Sequence, residues 1–195
     1  MANKVKYGLK NVHYAVAVIN TEDHTATYGD PVAWPGAVNL NLDPQGETTK
    51  FRADNIDYWI GTSNQGYEGD YENALCPDSF KKDVLGYIED DNGVLIENAE
   101  APTVHFALLF EFDGDVKATR HVLYNCTATR PGVSGGTTEE TIEPTTETST
   151  ITASSIYDAA LGHEIVKGNT KANGDATTYA TWYDKVYMPV VGTSE

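Results

Sequence analysis

The sequence predicts a mainly β protein with one principal α-helix, built as a β-sandwich or partial barrel that the helix flanks. Two observations predict this class: apolar residues recur at every second position over several stretches, and helical spacing is scarce. A chain of 195 residues is long enough for one domain with a sizeable core. We therefore interpret residues 1–195 as a single domain with a long loop and extended terminal arms.

Strands are predicted wherever this alternation is clear. Residues 10–19 and 36–43 alternate apolar with polar or small side chains, as half-buried strands do. Residues 104–128 predict a long hairpin, because apolar residues alternate along both halves and an Asp-Gly-Asp turn separates them. Its second strand is predicted to carry three residues on one face: Val122, Tyr124 and Cys126. A C-terminal hairpin or arm is predicted over residues 163–188, with Asn-Gly-Asp as its turn.

The principal helix is predicted over residues 77–86. Asp78 can cap its first turn, and Gly86 can end it because glycine readily adopts the left-handed conformation. Three side chains at helical spacing form its apolar side: Phe80, Val84 and Leu85. This apolar side predicts that the helix packs against a sheet.

The charge balance is strongly acidic. Thirteen basic and 29 acidic residues give a net charge of −16, whereas nucleic-acid binders need clustered Lys and Arg to neutralise phosphates. The composition therefore argues against a protein that binds DNA tightly.

No stretch approaches the roughly 20 apolar residues that span a bilayer, and the N-terminal segment lacks the features of a signal peptide. We therefore expect synthesis in a cytoplasm, with Cys76 and Cys126 as free thiols.

One sequence pattern matches a catalytic motif, but its context argues against catalysis. Residues 132–136 read G-V-S-G-G, the nucleophile-elbow pattern, and Asp158 and His163 follow Ser134 in the order of a hydrolase triad. An elbow needs a buried strand before the serine and a helix after it, whereas Thr, Glu and Pro follow here. The histidines show no paired ligand spacing, and there is no C-x-x-C. The sequence therefore predicts no enzyme, no metal site and no cofactor.

Several segments, in the same order, resemble one protein family. They are KVKYGLKNVHYAVAV at 4–18, AWPGAVNLNLDPQGE at 33–47, FRADNIDYWIGTSNQGYEGDYENALCPDSFKKDVLG at 51–86, IEDDNGVLIENA at 88–99, HFALLFEFDGDVKATRHVLYNCTATRPGVSG at 105–135 and EPTTETSTITAS at 143–154. Over roughly residues 1–154, and more loosely in YATWYDKVYMP, the chain resembles the major tail protein, or tail-tube protein, of long-tailed non-contractile bacteriophages of Gram-positive hosts. None of these segments is a catalytic motif.

The resemblance implies a tail-tube fold and a structural role in the virion. Subunits of that family form hexameric rings, which stack into a tube whose lumen conducts DNA during ejection. The implied partners are further copies of the chain, a tape-measure protein in the lumen, and tail terminator and distal tail proteins at the ends. DNA is only passing cargo, no membrane is involved, and assembly takes place in the host bacterial cytoplasm. An acidic lumen would let phosphates slide past, because like charges repel.

Two sets of residues are candidate sites under this resemblance. Residues 41–65 correspond to the long loop that contacts the adjacent ring, through three candidate residues: Phe51, Tyr58 and Trp59. Ordinary core packing is the alternative for these aromatic residues. From Pro144 onward the polar run alternates, which predicts a β-strand facing a wet lumen or a subunit seam. The candidates on it are Thr146, Thr148, Thr150 and Thr152 on one side and Glu147 on the other.

A different class of protein fits some of the same features. Aromatic loops and a threonine-rich tract are natural in a cell-surface adhesin or a carbohydrate-binding β-sandwich. Such a module would bind glycans without assembling with itself. The sequence is compatible both with a tail-tube protein and with an adhesin or carbohydrate-binding module.

Overall fold

The computed structural model describes residues 3–137 and 143–191. Within these residues the chain forms fifteen strands and two short helices, so the mainly-β prediction is confirmed. The strands, in chain order, are β1 (Lys6–Ile19), β2 (Ala26–Tyr28), β3 (Val32–Ala33), β4 (Ala37–Gln45), β5 (Thr48–Ala53), β6 (Ile56–Thr62), β7 (Gly66–Asn73), β8 (Ile88–Glu89), β9 (Leu95–Ile96), β10 (His105–Gly114), β11 (Thr119–Ala128), β12 (Glu147–Ser154), β13 (Ile156–Asp158), β14 (His163–Ile165) and β15 (Lys167–Asn169). The helices are α1 (Asp78–Asp83) and α2 (Ala176–Ala180).

The long strands belong to one antiparallel sheet. Its order is β2-β1-β10-β11-β12-β7-β4, with β3 beside β1 and β15 beside β11. The sheet curls until β4, at one end of this order, lies in contact with β1 near the other end. The predicted hairpin over residues 104–128 is confirmed at its centre, where β10 and β11 pair. The sheet therefore has a concave inner face and a convex outer face, in the form of a partial barrel.

The inner face encloses a hydrophobic core. Its large, fully buried side chains include Tyr14, Trp34, Tyr71, Phe80, Phe106, Leu108, Leu123 and Ile151. The ring of Trp34 lies 3.8 Å from that of Phe80 and meets the ring of Tyr71 edge-on at 4.7 Å, measured between centroids. Because Phe80 belongs to α1, this aromatic cluster holds the helix against the inner face of the curled sheet.

The helix predicted over residues 77–86 is shorter and is capped differently. Pro77, which has no side-chain acceptor, occupies the N-cap position, so Asp78 lies inside the first turn. There its carboxylate pairs with Lys81 at 3.6 Å, and a negative charge is favourable at that end of a helix. Gly86 adopts a φ of 71° after the helix, as predicted. Val84 and Leu85 are buried with Phe80, which confirms the apolar side.

Cys126 does not share a face with Val122 and Tyr124, contrary to the prediction. Between the pairs Phe106↔Cys126 and Leu108↔Leu123, β11 has one more residue than β10. This extra residue is a β-bulge, which turns the following side chain to the other face. Cys126 therefore lies in the inner core, whereas Val122 and Tyr124 lie on the outer face.

The C-terminal segment covers the outer face of β1, β10 and β11. Its buried side chains Trp182 and Val186 pack in one cluster with Ala15, Ala107, Leu109, Val122 and Tyr124 of these strands and with Ile156 of β13. The ring of Trp182 also stacks on Tyr187, with 5.3 Å between centroids. The apolar outward side chains of the three strands are therefore shielded from water.

The C-terminal hairpin predicted over residues 163–188 is wrong. β14 pairs with β13, and β15 pairs with β11, so neither strand pairs with the segment that follows. After the Asn-Gly-Asp turn the chain forms α2, because the Asp175 carboxylate accepts a hydrogen bond from the Thr178 N–H at 2.6 Å. The turn motif therefore ends in a helix cap.

A buried ion pair lies beneath the C-terminal segment. Glu111 and Arg120 lie opposite each other on β10 and β11, and Arg120 Nε donates to Glu111 Oε2 at 2.9 Å. Glu111 is only 3% exposed, and its Oε1 accepts from Asn11 Nδ2 at 2.7 Å. Asn11 has a φ of 52° within a bulge of β1. Both carboxylate oxygens of Glu111 are thus hydrogen-bonded.

Two tyrosines of the C-terminal segment complete this network. The Tyr183 hydroxyl donates to Glu111 Oε2 at 3.3 Å, and burial together with the Glu111 charge raises the pKa of Tyr183, so the phenol stays protonated. The Arg120 guanidinium lies 3.9 Å from the ring centroid of Tyr179 and donates to the Tyr179 carbonyl. The segment therefore docks through charge-assisted hydrogen bonds as well as apolar contacts.

The replacement Glu111→Ala is expected to lower the free energy of unfolding by about 3–5 kcal/mol, because it leaves the largely buried guanidinium of Arg120 without its carboxylate partner. Urea unfolding followed by circular dichroism measures this change. The control Asp57→Ala removes an exposed carboxylate that pairs with Lys50 and Arg52, at a cost of at most about 1 kcal/mol. A loss for Glu111→Ala no larger than that of the control would contradict the role given to the buried pair.

Candidate functional site

An open polar surface lies on the outer side of β12, β7 and β4. The strand register places its side chains in three rows, Thr148–Glu72–Asn39, Thr150–Asp70–Asn41 and Thr152–Glu68–Asp43. The alternate residues Ser149, Ile151 and Tyr71 are buried on the inner side. Because neighbouring strands lie about 4.8 Å apart, the rows form a continuous surface about 10 Å wide. We call these nine residues the acidic face.

The acidic face carries four carboxylates and no basic side chain. Among the residues that the structure describes, none of the four forms a salt bridge: Asp43, Glu68, Asp70 and Glu72. Asp43 and Glu68 lie directly opposite each other on β4 and β7, an arrangement that destabilises a sheet through like-charge repulsion. A surface that keeps this repulsion is better explained by a functional charge than by stability.

The polar run after Pro144 forms β12, although the strand begins at Glu147 and Thr146 precedes it. Thr148 and Thr152 are exposed and Thr150 is half-buried, and all three point to the acidic face. The hydroxyls of Thr146 and Thr150 donate to Glu72 at 2.5 Å and to Asp70 at 3.0 Å. Threonine hydroxyls therefore form hydrogen bonds with two carboxylates of the acidic face.

β12 is an interior strand, because β11 and β7 of the same chain flank it. β12 therefore has no free backbone edge for a neighbouring subunit, and whether its exposed side chains face a lumen or a subunit seam stays a prediction. Glu147 faces the other way, and its carboxylate accepts a hydrogen bond from the Cys76 N–H at 2.7 Å. Glu147 therefore holds the segment before α1 and is not part of the acidic face.

Glu68, Asp70 and Glu72 are candidates that the sequence analysis missed. Residues 67–73, YEGDYEN, do alternate acidic with other residues, which is the signal that could have identified them.

Two glycines interrupt the apolar pattern of this strand. A Cβ at Gly66 would lie 1.9 Å from the Ala153 carbonyl oxygen, and one at Gly69 would lie 2.0 Å from that of Asn41. The close approach of β12 and β4 therefore requires glycine at both positions.

Residues 41–65, predicted as a long loop, form the end of β4 and a β-hairpin of β5 and β6. We call β5 and β6 the arm hairpin. Its turn is Asp54-Asn55, with φ of 50° and 62°, as a two-residue hairpin turn requires. Asp57 pairs with Lys50 at 3.1 Å and with Arg52 at 3.3 Å across the two strands. The segment is therefore a regular extension of the chain between β4 and β7.

The three aromatic candidates are exposed on the arm hairpin. Phe51 is 60%, Tyr58 68% and Trp59 57% exposed, so the alternative that they form ordinary core is wrong. Phe51 lies directly opposite Trp59, which places their side chains on the same face. Ile56 and Ile60 are also exposed on this hairpin. Clustered exposed apolar side chains mark an interaction surface.

The residues of the hydrolase pattern lie in different surroundings. Ser134 lies in an exposed segment between β11 and β12 with no strand or helix next to it. Asp158 is buried in β13, where it accepts a hydrogen bond from the Leu161 N–H at 2.8 Å, and His163 lies opposite it in β14. The structure therefore brings Asp158 and His163 together and gives Ser134 none of the geometry of an elbow.

The described part of the chain contains no group of three or more His, Cys, Asp or Glu side chains placed to hold a metal ion. Cys76 and Cys126 are buried, unpaired thiols, and burial raises the pKa of Cys76 to about 12. At neutral pH this thiol is protonated, and a protonated thiol is a poor nucleophile.

Comparisons with known proteins add no family assignment. Neither the search against protein-family models nor the search of curated proteins gave a match to this chain. In the described residues, no helix has both the length and the apolar character needed to cross a membrane.

The replacement Glu68→Gln is expected to raise the free energy of unfolding by roughly 0.2–1 kcal/mol at low salt, because it removes the repulsion with Asp43. The gain should disappear at about 1 M NaCl, where the Debye length is about 3 Å. Urea unfolding at both salt concentrations measures it, with the exposed Glu100→Gln as the control. A gain equal in both salts, or equal for the control, would show that Asp43 and Glu68 do not repel each other appreciably.

Proposed function

We propose that this chain is the major subunit of a bacteriophage tail tube, a structural protein without catalytic activity. Six copies would form a ring, and stacked rings would enclose a lumen that conducts DNA during ejection. The observation that carries this proposal is the acidic face, which stays open while the C-terminal segment covers the outer face of β1, β10 and β11. The resemblance of residues 1–154 to tail-tube proteins supports it from the sequence.

The acidic face has the properties that a DNA conduit needs. Its carboxylates repel phosphates, and its Thr and Asn side chains keep the surface wet without offering cations to the DNA. DNA would therefore pass without sticking, although each subunit exposes a polar surface to it. Lining the lumen also accounts for the Asp43–Glu68 repulsion, which contributes nothing to the stability of the single chain.

The free edge of β4 suggests how copies join in a ring. Within the described residues β4 is hydrogen-bonded only to β7, so the backbone groups on the other edge of this nine-residue strand have no strand partner, although part of the strand lies in contact with β1. Exposed edges of this length favour pairing with another chain. In a closed ring this edge meets a different surface of the neighbour, since ring contacts are heterologous. Pairing at β4 would extend the acidic face from one subunit to the next.

The arm hairpin suggests how rings stack. It leaves the sheet between β4 and β7 and carries exposed aromatic side chains, which would be buried against a subunit of the adjacent ring. The tape-measure protein would occupy the lumen, and tail terminator and distal tail proteins would close the ends. The protein would be made in the host bacterial cytoplasm and would function in the virion.

A carbohydrate-binding or adhesive role is the second candidate. It is favoured by Phe51, Tyr58 and Trp59, because exposed aromatic rings can stack on sugars. The two proposals differ in what the arm hairpin contacts. Glycan binding by a protein that stays monomeric would support the adhesin, and self-assembly without glycan binding would support the tail tube.

Purified protein at high concentration is expected to form rings or tubes, visible by negative-stain electron microscopy and light scattering.

The double replacement Phe51→Ser with Trp59→Ser should abolish the stacking of rings and leave the free energy of unfolding within about 0.5 kcal/mol of the wild type, because both side chains are exposed. The control replaces Ile88 and Ile96 with Ser; they also lie opposite each other on two paired strands and are 55% and 50% exposed. A wild-type protein that stays monomeric, or a Phe51/Trp59 variant that stacks normally, would overturn the proposal.

Reversing the charge of the acidic face should make tubes retain DNA. Tubes of the triple variant Glu68→Lys, Asp70→Lys and Glu72→Lys are expected to bind short duplex DNA in a salt-dependent way, whereas wild-type tubes do not. Co-sedimentation of labelled DNA with tubes measures retention. The control carries Lys at the exposed positions Glu22, Asp91 and Glu100, which changes the net charge equally. Equal retention by both variants would show that the acidic face has no special access to DNA.

A further inference from the structure

A small cavity opens at one end of the curled sheet, on its inner face. It has a volume of about 190 Å³ and lies between β4 and β7 on one side and β10 and β11 on the other. Its apolar wall consists of Leu40, Leu42, Phe110, Phe112 and Leu123. Asn41 of the acidic face also borders this cavity, but none of the four carboxylates of that face lines it.

Nitrogen-bearing side chains from three strands converge on the cavity: Lys6 of β1, His121 of β11 and Lys167 of β15. Lys167 Nζ donates to the Tyr67 hydroxyl at 3.0 Å, which leaves the hydroxyl proton of Tyr67 free to donate. Lys6 Nζ lies 4.9 Å from the ring centroid of Phe112. The imidazole of His121 stacks on Phe110 at 5.1 Å between centroids. Four potential donors therefore surround one small space.

No carboxylate lines this cavity in the part of the chain that is described, and neither lysine forms a salt bridge there. This is unusual in a chain with 29 acidic and 13 basic residues. Burial first, and then the charges of Lys167 and Lys6, lower the pKa of His121 to about 4. At neutral pH the cavity thus presents two ammonium groups and a neutral imidazole without a compensating negative charge.

We propose that this cavity binds a small oxyanion of the size of sulfate or inorganic phosphate. The ammonium groups of Lys6 and Lys167 supply the charge, and the His121 N–H and the Tyr67 hydroxyl supply neutral donors. Charge-assisted hydrogen bonds from several directions are what tetrahedral oxyanions require. The inference concerns the single chain and does not depend on tube assembly.

Sulfate is the probe, because it stays a dianion over the pH range in which His121 titrates. Sulfate replaces chloride at constant ionic strength, and the His121 ring resonances are followed by NMR. The expected result is a saturable shift and a rise in the pKa of His121, since a bound anion favours imidazolium. Affinity should therefore increase as the pH falls. The titratable groups that face His121 in the cavity are Lys6, Tyr67 and Lys167.

The double replacement Lys6→Gln with Lys167→Gln should weaken sulfate binding by about tenfold or more, since each removes a charged donor. The control Lys4→Gln with Lys185→Gln removes two exposed lysines elsewhere and should bind as the wild type does. His121→Phe keeps an aromatic ring on Phe110 and should bind sulfate without the dependence on pH.

Three outcomes would overturn the proposal. The shift of the His121 resonances could fail to saturate with sulfate, both double lysine variants could lose sulfate affinity equally, or chloride alone could produce the same shift. Duplex DNA distinguishes a free oxyanion from the phosphates of a nucleic acid. It should neither shift the His121 resonances nor displace sulfate, because the surrounding net charge repels it. A His121 shift produced by DNA and not by sulfate would contradict the small-oxyanion site.

Discussion

The ion pair of Glu111 and Arg120 determines which part of the sheet is covered. A buried pair of this kind adds little net stability, because desolvation offsets the attraction between the charges. It nevertheless helps to position the C-terminal segment, since the Tyr183 hydroxyl adds a hydrogen bond to Glu111, and Arg120 donates to the Tyr179 carbonyl. The C-terminal segment is therefore held over β1, β10 and β11. The outer side of β12, β7 and β4 remains open as a consequence.

Packing of the inner core fixes the positions of the carboxylates on the outer side. Tyr71 and Ile151 are fully buried on the inner face, and their neighbours along β7 and β12 must point outward. A slip of one residue would bury Asp70 and Glu72 and expose Tyr71, which the core does not tolerate. The charge pattern of the acidic face is thus maintained by the apolar residues behind it.

Much of the fold was predictable from local patterns, whereas the candidate site depended on neighbours distant in sequence. The hairpin over residues 104–128 was predictable, because its alternation is long and its turn is explicit. The placement of Cys126 was not, since a bulge adds a residue without a local signal. The C-terminal hairpin failed because α2 is set by the Asp175 cap and by packing of Trp182 on the sheet. The acidic face joins residues 39–43, 68–72 and 148–152, which only the strand register brings together.

The arm hairpin is inserted between two strands that already pair with each other. Gln45 lies opposite Gly66 at the base, and the Gln65 N–H donates to the Gln45 carbonyl at 2.9 Å. The two ends of the insertion are therefore held together at its base. A longer or shorter hairpin between them would change the entropy of loop closure only slightly. The arm can consequently diverge in length and composition while β4 and β7 stay unchanged. Such modularity lets the outer contacts of the protein evolve separately from the surface that its sheet presents.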